Sequence, residues 1–127
     1  MFYLWIVVLS RRAANVMCMV TIGTWNLENL FRPGEDSGPR DSREYESKLD
    51  ALATTITDLA PDVLAVQEVG DPLAFEDFAR QLKGTWRTAL AEPDARGIRV
   101  GLLSTSALTK VEEISEFPEG LNSCAGR

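Results

Sequence analysis

Between Leu49 and Glu68 the sequence changes period, and that change restricts the architectures open to the chain. Leu49, Leu52, Ile56 and Leu59 recur at spacings of three, four and three, which places them along one face of a helix. Asp41 with Glu44 three residues later has the form of a capping box at its start. Pro61 ends the helix, because proline disfavours the helical conformation in the residue before it. Val63 to Val66 follows at once as a continuous apolar run, as expected for a strand buried on both faces. Upstream, Val20 to Trp25 is short, β-branched and aromatic, and reads as another strand. The stretch from Arg32 to Arg40, with two prolines and two glycines, is a loop. Strand, helix and strand joined by short connections favour a βαβ-like unit.

A second helix is expected from Pro72 to Lys83. Asp71 can cap it, Pro72 suits its first turn and Gly84 suits the position beyond its end. Phe75, Phe78, Ala79 and Leu82 give it an apolar face. Trp86 to Leu90 and Ile98 to Leu103 read as strands separated by a turn at Glu92 to Gly97, and a further strand is expected from Leu108 to Ile114. Gly120 to Arg127 carries no pattern and reads as a truncated end, and no internal repeat is evident.

The length of 127 residues allows one domain, and 45% hydrophobic with 25% charged residues is the mix of a globular protein. The net charge of -6 argues against a broad basic face for nucleic acid, although a bound cation can supply positive charge locally. Cys18 and Cys124 lie far apart without metal-ligand spacing, which makes a reduced, cytoplasmic setting the default; export is not excluded. The chain has no histidine, so any hydrolytic chemistry must proceed without its commonest general base or find one elsewhere.

Residues 1–18 are set apart. Phe2 to Leu9 is mostly apolar and is followed by Arg11 and Arg12. Such a run is too short for a membrane span, which needs about 20 residues. Its charge also follows the apolar run, the reverse of an export signal. Met17 and Met19 stand just before the first clear strand pattern, so residues 1–18 are expected to be an N-terminal extension or a mis-assigned start, with a poor export signal or a real strand or helix as alternatives.

Two polar residues stand where strands should end, Asn26 in Thr24-Trp25-Asn26-Leu27-Glu28 and Glu68 in Ala65-Val66-Gln67-Glu68-Val69. Ligands collect outside the carboxyl ends of strands in open α/β sheets. If the two strands are parallel neighbours, Asn26 and Glu68 face one crevice, and an amide oxygen with a carboxylate suits magnesium. On residue type alone Asn26 can equally be a turn residue and Glu68 a solvated carboxylate. Arg96, before Gly97, is either a phosphate contact or a solvated turn arginine. Glu28 and Asn29 are left out of the metal set because alternation sends them to different faces.

The strings TWNLENLF, DLAPDVLAVQEV and RGIRVGLLS, in this order, resemble the N-terminal half of the endonuclease/exonuclease/phosphatase superfamily over roughly Met19 to Ile114. The resemblance implies a partial α/β (α+β) fold. It would be about one sheet plus its helices out of a four-layer α/β/β/α sandwich of the deoxyribonuclease-I-like type, with residues 19–127 as the truncated N-terminal part of the domain. It implies a metal-dependent phosphoester hydrolase of nuclease or phosphatase type, with Mg2+ or Mn2+ as cofactor. In that family the asparagine of the WN motif, here Asn26, helps organise metal and reacting phosphate. The glutamate of the QE motif, here Glu68, binds magnesium. The substrate would be a nucleic acid or a phosphorylated small molecule or lipid.

The family's later D-x-N pair and its aspartate-histidine pair do not occur in this sequence, so the chain by itself is expected to turn over little substrate. One sheet without its partner would expose an apolar face. Leaving several hundred Å² uncovered forfeits on the order of 10 kcal/mol, so the chain is expected to aggregate, to dimerise through that face or to stay partly folded. A non-catalytic α/β module pairing with another chain is the alternative.

Overall fold

The computed structural model describes residues 4–13 and 16–114, with side chains described from Met19 onward. The elements in chain order are β1 (Leu4–Ala13), β2 (Val16–Leu30), α1 (Ser42–Leu59), β3 (Val63–Val69), α2 (Pro72–Gln81), β4 (Arg87–Leu90) and β5 (Arg99–Ser104). Five strands form one sheet in the order β1-β2-β3-β5-β4. Strand β1 runs antiparallel to β2 from Leu4 opposite Trp25 to Ala13 opposite Val16, so the stretch set apart in the sequence supplies an edge strand. Strands β2 and β3 are parallel, which requires a crossover, and α1 provides it. Strand β5 pairs antiparallel with both β3 and β4. This is an α/β arrangement of one sheet with two helices, the partial sandwich expected from the sequence.

Helix α1 begins where the sequence places its cap, although Glu44 reaches past the cap residue to Arg40 and so completes only half of a capping box. The Asp41 carboxylate accepts the Glu44 backbone N–H at 2.8 Å, while Glu44 reaches back to the Arg40 N–H at 2.8 Å. Its end is closed by Ala60, in the left-handed conformation, whose N–H donates to the Ile56 carbonyl. Helix α2 is capped by Asp71 through the Leu73 N–H at 2.8 Å.

Leu49, Leu52 and Ile56 of α1 and Phe75 and Phe78 of α2 pack on Trp25, Leu64, Val66 and Leu103 of the sheet, all buried. Gly101 leaves room for this layer, because a Cβ there would stand 3.0 Å from the Phe75 ring.

Three expectations need correction. Strand β2 is longer than Val20 to Trp25 and continues past Asn26 to Leu30. Strand β3 is not buried on both faces: Leu64, Val66 and Val69 are buried, whereas Val63, Ala65 and Gln67 are only partly covered. Both helices pack on the first set, and Val100 and Leu102 are exposed alongside the second, 57% and 37% accessible. Leu108 to Ile114 forms no strand. Lys110 has a positive φ of 54°, which breaks the extended run, and β5 already has a neighbour on each side. The patternless Gly120 to Arg127, with Cys124, lies outside the described residues.

A polar brace joins the loop after β2 to both helices. Asp77 on α2 accepts from Arg32 Nε at 2.9 Å and the Tyr45 hydroxyl at 2.9 Å, and Arg80 lies 3.1 Å from its other oxygen. Burial alone would raise the Asp77 carboxyl, but its hydrogen bonds from Arg32 and Tyr45 outweigh that and hold it below the usual range. Burial, with the hydrogen bond to Asp77, pushes Tyr45 up to about 12.

A depressed carboxyl contributes stability that is complete above its unfolded value, about 4, and is lost as pH falls through the folded value. A raised tyrosine contributes stability complete below pH about 10 and lost as pH rises toward 12. Asp77→Asn is therefore expected to make the acid limb of a urea-midpoint-versus-pH curve shallower. An acid limb as steep as that of the unsubstituted chain would contradict this role.

Candidate functional site

Strands β2 and β3 both depart from regular pairing at their carboxyl ends. Their register shifts between Asn26 and Leu30, and the pairing of β3 with β5 shifts between Val66 and Val69. Three non-glycine residues in these irregular stretches are left-handed: Glu28 at φ 49°, Asn29 at φ 55° and Glu68 at φ 60°. Each costs roughly 1–2 kcal/mol relative to ordinary backbone and persists only where surrounding contacts hold it. Strained residues of this kind gather where a side chain must be aimed.

The aim is visible at Glu68. Strict alternation would send Gln67 and Glu68 to opposite faces. The left-handed turn at Glu68 instead carries its carboxylate to Asn26, whose Nδ2 donates to Oε1 at 2.8 Å. The Asn29 backbone N–H donates to Oε2 at 3.2 Å. Asn26 is fixed in turn, because its Oδ1 accepts the Glu28 N–H at 2.8 Å. A flipped amide would set two donors against each other at Glu28, so the network determines which way Asn26 points.

A cleft of about 460 Å³ opens in front of this pair, lined by Asn26, Gln67 and Glu68, by the turn from Glu92 to Arg96, and by Arg99 and Glu113. Arg96 shares the cleft, but its guanidinium is already placed on Asp94, with Nε at 2.9 Å and Nη2 at 2.7 Å from Oδ2. Arg99 was not singled out in the sequence; its Nη1 donates to the Gly70 carbonyl at 2.9 Å, immediately beyond β3. Lys48 was also missed. Its Nζ donates to the carbonyls of Glu28 and Asn29, at 2.6 and 3.5 Å.

Gly70 closes the end of β3 against an aromatic ring. A Cβ there would stand 2.1 Å from Phe31 Cζ, so Gly70→Ala must displace Phe31. Overpacking of this kind costs about 1–3 kcal/mol, and a urea midpoint equal to that of the unsubstituted chain would contradict it.

The family model described as the endonuclease/exonuclease/phosphatase family matches residues 23–125. The chain belongs to that family. Its members are hydrolases of phosphoesters, commonly dependent on divalent metals, and the match takes in both strand-end residues and the whole cleft. No curated protein and no solved structure matches the chain.

The donor set agrees in part with the family's chemistry. A carboxylate offers about four acceptor sites, and two of those on Glu68 are taken by Asn26 and Asn29, which leaves one on each oxygen. Magnesium is commonly held by one or two carboxylates with water and substrate phosphate completing the shell, so Glu68 fits as one such ligand. Among the described residues no group of three or more His, Cys, Asp or Glu converges as a cage. Asn26 holds the Glu68 carboxylate through Nδ2, and its Oδ1 accepts one N–H, from Glu28, out of the two that an amide oxygen can accept. No helix among the described residues is long and apolar enough to cross a membrane.

Proposed function

We propose that this chain carries the glutamate side of a divalent-metal phosphoester hydrolase site, with Glu68 as the Mg2+ or Mn2+ ligand and Asn26 as its positioning partner. The observation that carries this reading is the Asn26–Glu68 contact at 2.8 Å, made across the carboxyl ends of two parallel strands by a left-handed residue. When bound, a divalent cation supplies Lewis-acid stabilisation of charge on the phosphoryl oxygens. The chain's own part is to aim one carboxylate, fix it with two donors, and present a cleft beside it. Arg96 spends Nε and one Nη2 donor on Asp94 and keeps three N–H donors with which it can meet a phosphate in the cleft.

The sequence contains no histidine and no D-x-N pair to orient an attacking water, so the 127-residue chain alone is expected to turn over little substrate. An assay of the purified chain on a chromogenic phosphodiester with Mg2+ tests this. Robust cation-dependent cleavage would overturn it.

The open side of the sheet favours a second reading, in which the chain pairs with another copy or another protein. A groove of about 490 Å³ runs along it, lined by Ala65, Gln67, Ala89, Val100 and Leu102 together with Val111 and Ile114. Sedimentation velocity is expected to find self-association at micromolar concentration, reduced by Leu102→Glu. A monomer at all concentrations would exclude pairing between copies.

A further inference from the structure

We infer that Lys48 is a positioning residue for Glu68, acting through the left-handed pair Glu28 and Asn29. This inference rests on the reading of Glu68 as a cation ligand and names a group that neither the sequence motifs nor the family match singles out. Lys48 leaves the buried stripe of α1 at its edge, one turn from Tyr45 and Leu52, and reaches beneath the end of β2. Its ammonium donates to the Glu28 carbonyl at 2.6 Å and lies 3.5 Å from that of Asn29.

Those two carbonyls belong to the residues whose N–H groups face the site. Glu28 N–H fixes Asn26, and Asn29 N–H fixes Glu68. Two successive left-handed residues turn their carbonyls to one side and their N–H groups to the other, so one cation on the carbonyl side stabilises the conformation that presents both donors. An ammonium with three donors on a flexible stem suits two divergent carbonyls. Desolvation lowers the Lys48 pKa, while Glu28 and Glu68 oppose that shift, in keeping with a charge enclosed beside the bulge.

Lys48 has a competing role with the opposite sign. Its positive charge lies near enough to interact with Glu68, and if that were its whole effect, removing it would tighten cation binding. A positioning role requires the reverse. The test uses the 127-residue chain with Mn2+ as probe, read by paramagnetic broadening of the Asn26 and Glu68 amide signals and by hydrogen exchange at the Asn29 amide. Lys48→Met is expected to weaken Mn2+ binding about tenfold, the scale of a lost outer-shell partner. Exchange at Asn29 should accelerate roughly tenfold, the equivalent of one hydrogen bond. Lys48→Arg, which can still bridge two carbonyls, should recover most of both.

Tighter Mn2+ binding in Lys48→Met, or Asn29 exchange unchanged from the parent, would overturn the inference. Should Lys48→Met fail to fold, the scalar coupling between Lys48 Nζ and the Glu28 carbonyl carbon in the unsubstituted chain decides the matter: its presence supports the clamp and its absence refutes it. Failure of the unsubstituted chain to bind Mn2+ at Glu68 would count against the proposed function. Asn29 exchange would still report on whether Lys48 holds the bulge.

Discussion

Glu68→Ala is expected to lower cation-dependent phosphoester cleavage by about three orders of magnitude, the scale of losing several kcal/mol of transition-state charge stabilisation. The assay belongs in a chimera that joins the chain to a family segment carrying D-x-N and aspartate-histidine motifs, where turnover is large enough to lose. Alanine removes the carboxylate held at the ends of β2 and β3 and leaves the donors of Asn26 and Asn29 without their acceptor. Glu68→Gln separates charge from shape. It keeps an oxygen for one donor but removes the negative charge, so it should fall nearly as far as alanine while retaining more of the local fold. Asn26→Ala should cost less, about 10–100-fold, because it acts through Glu68. A Glu68→Ala enzyme within tenfold of the parent would remove this residue from the site.

Phe78→Ala is the substitution expected to damage the fold most, by about 3–5 kcal/mol. The ring is fully buried in the core cluster formed by both helices and the sheet, and its removal leaves a cavity there. A whole domain typically has about 5–15 kcal/mol, and one whose sheet is packed on a single face stands toward the lower end of that range. Leu73, on the same helix but 49% exposed, provides the comparison. Its alanine variant should change stability by less than about 0.5 kcal/mol. Urea unfolding followed by far-ultraviolet circular dichroism reads both. Equal losses at Phe78 and Leu73 would mean that α2 is not packed as described.

The parts of the fold visible in the sequence are those governed by period and punctuation. Leu49, Leu52 and Ile56 announced the buried face of α1, Asp41 and Asp71 announced helix starts, and Asn26 and Glu68 stood out as polar residues where strands should end. Alternation failed at the strand ends. Only Asn29 among Glu28, Asn29 and Glu68 is a residue type that enters left-handed backbone readily, so nothing local signalled that both strands would bulge.

Exclusion of Asn29 on grounds of alternation therefore missed its backbone N–H, which is the part of it that reaches Glu68. Lys48 was invisible because its position at the margin of an apolar stripe is ordinary for a helical lysine, and only the tertiary fold sets the bulge's carbonyls above it. Leu108 to Ile114 has the composition of a strand, but composition does not tell whether a neighbour is free to pair. The long apolar run of β3 suggested two covered faces, yet among the described residues the helices cover only one.

The claim on which the functional reading depends is that a carboxylate clasped by an amide and a backbone N–H at the ends of β2 and β3 takes up a divalent cation. Titrating Mn2+ into the 127-residue chain and following amide broadening by nuclear magnetic resonance tests it most directly. The broadening should begin at Asn26, Asn29 and Glu68, be reversed by excess Mg2+, and disappear in Glu68→Ala. Broadening that survives Glu68→Ala, or that begins instead at the acidic turn around Glu92 and Asp94, would contradict it.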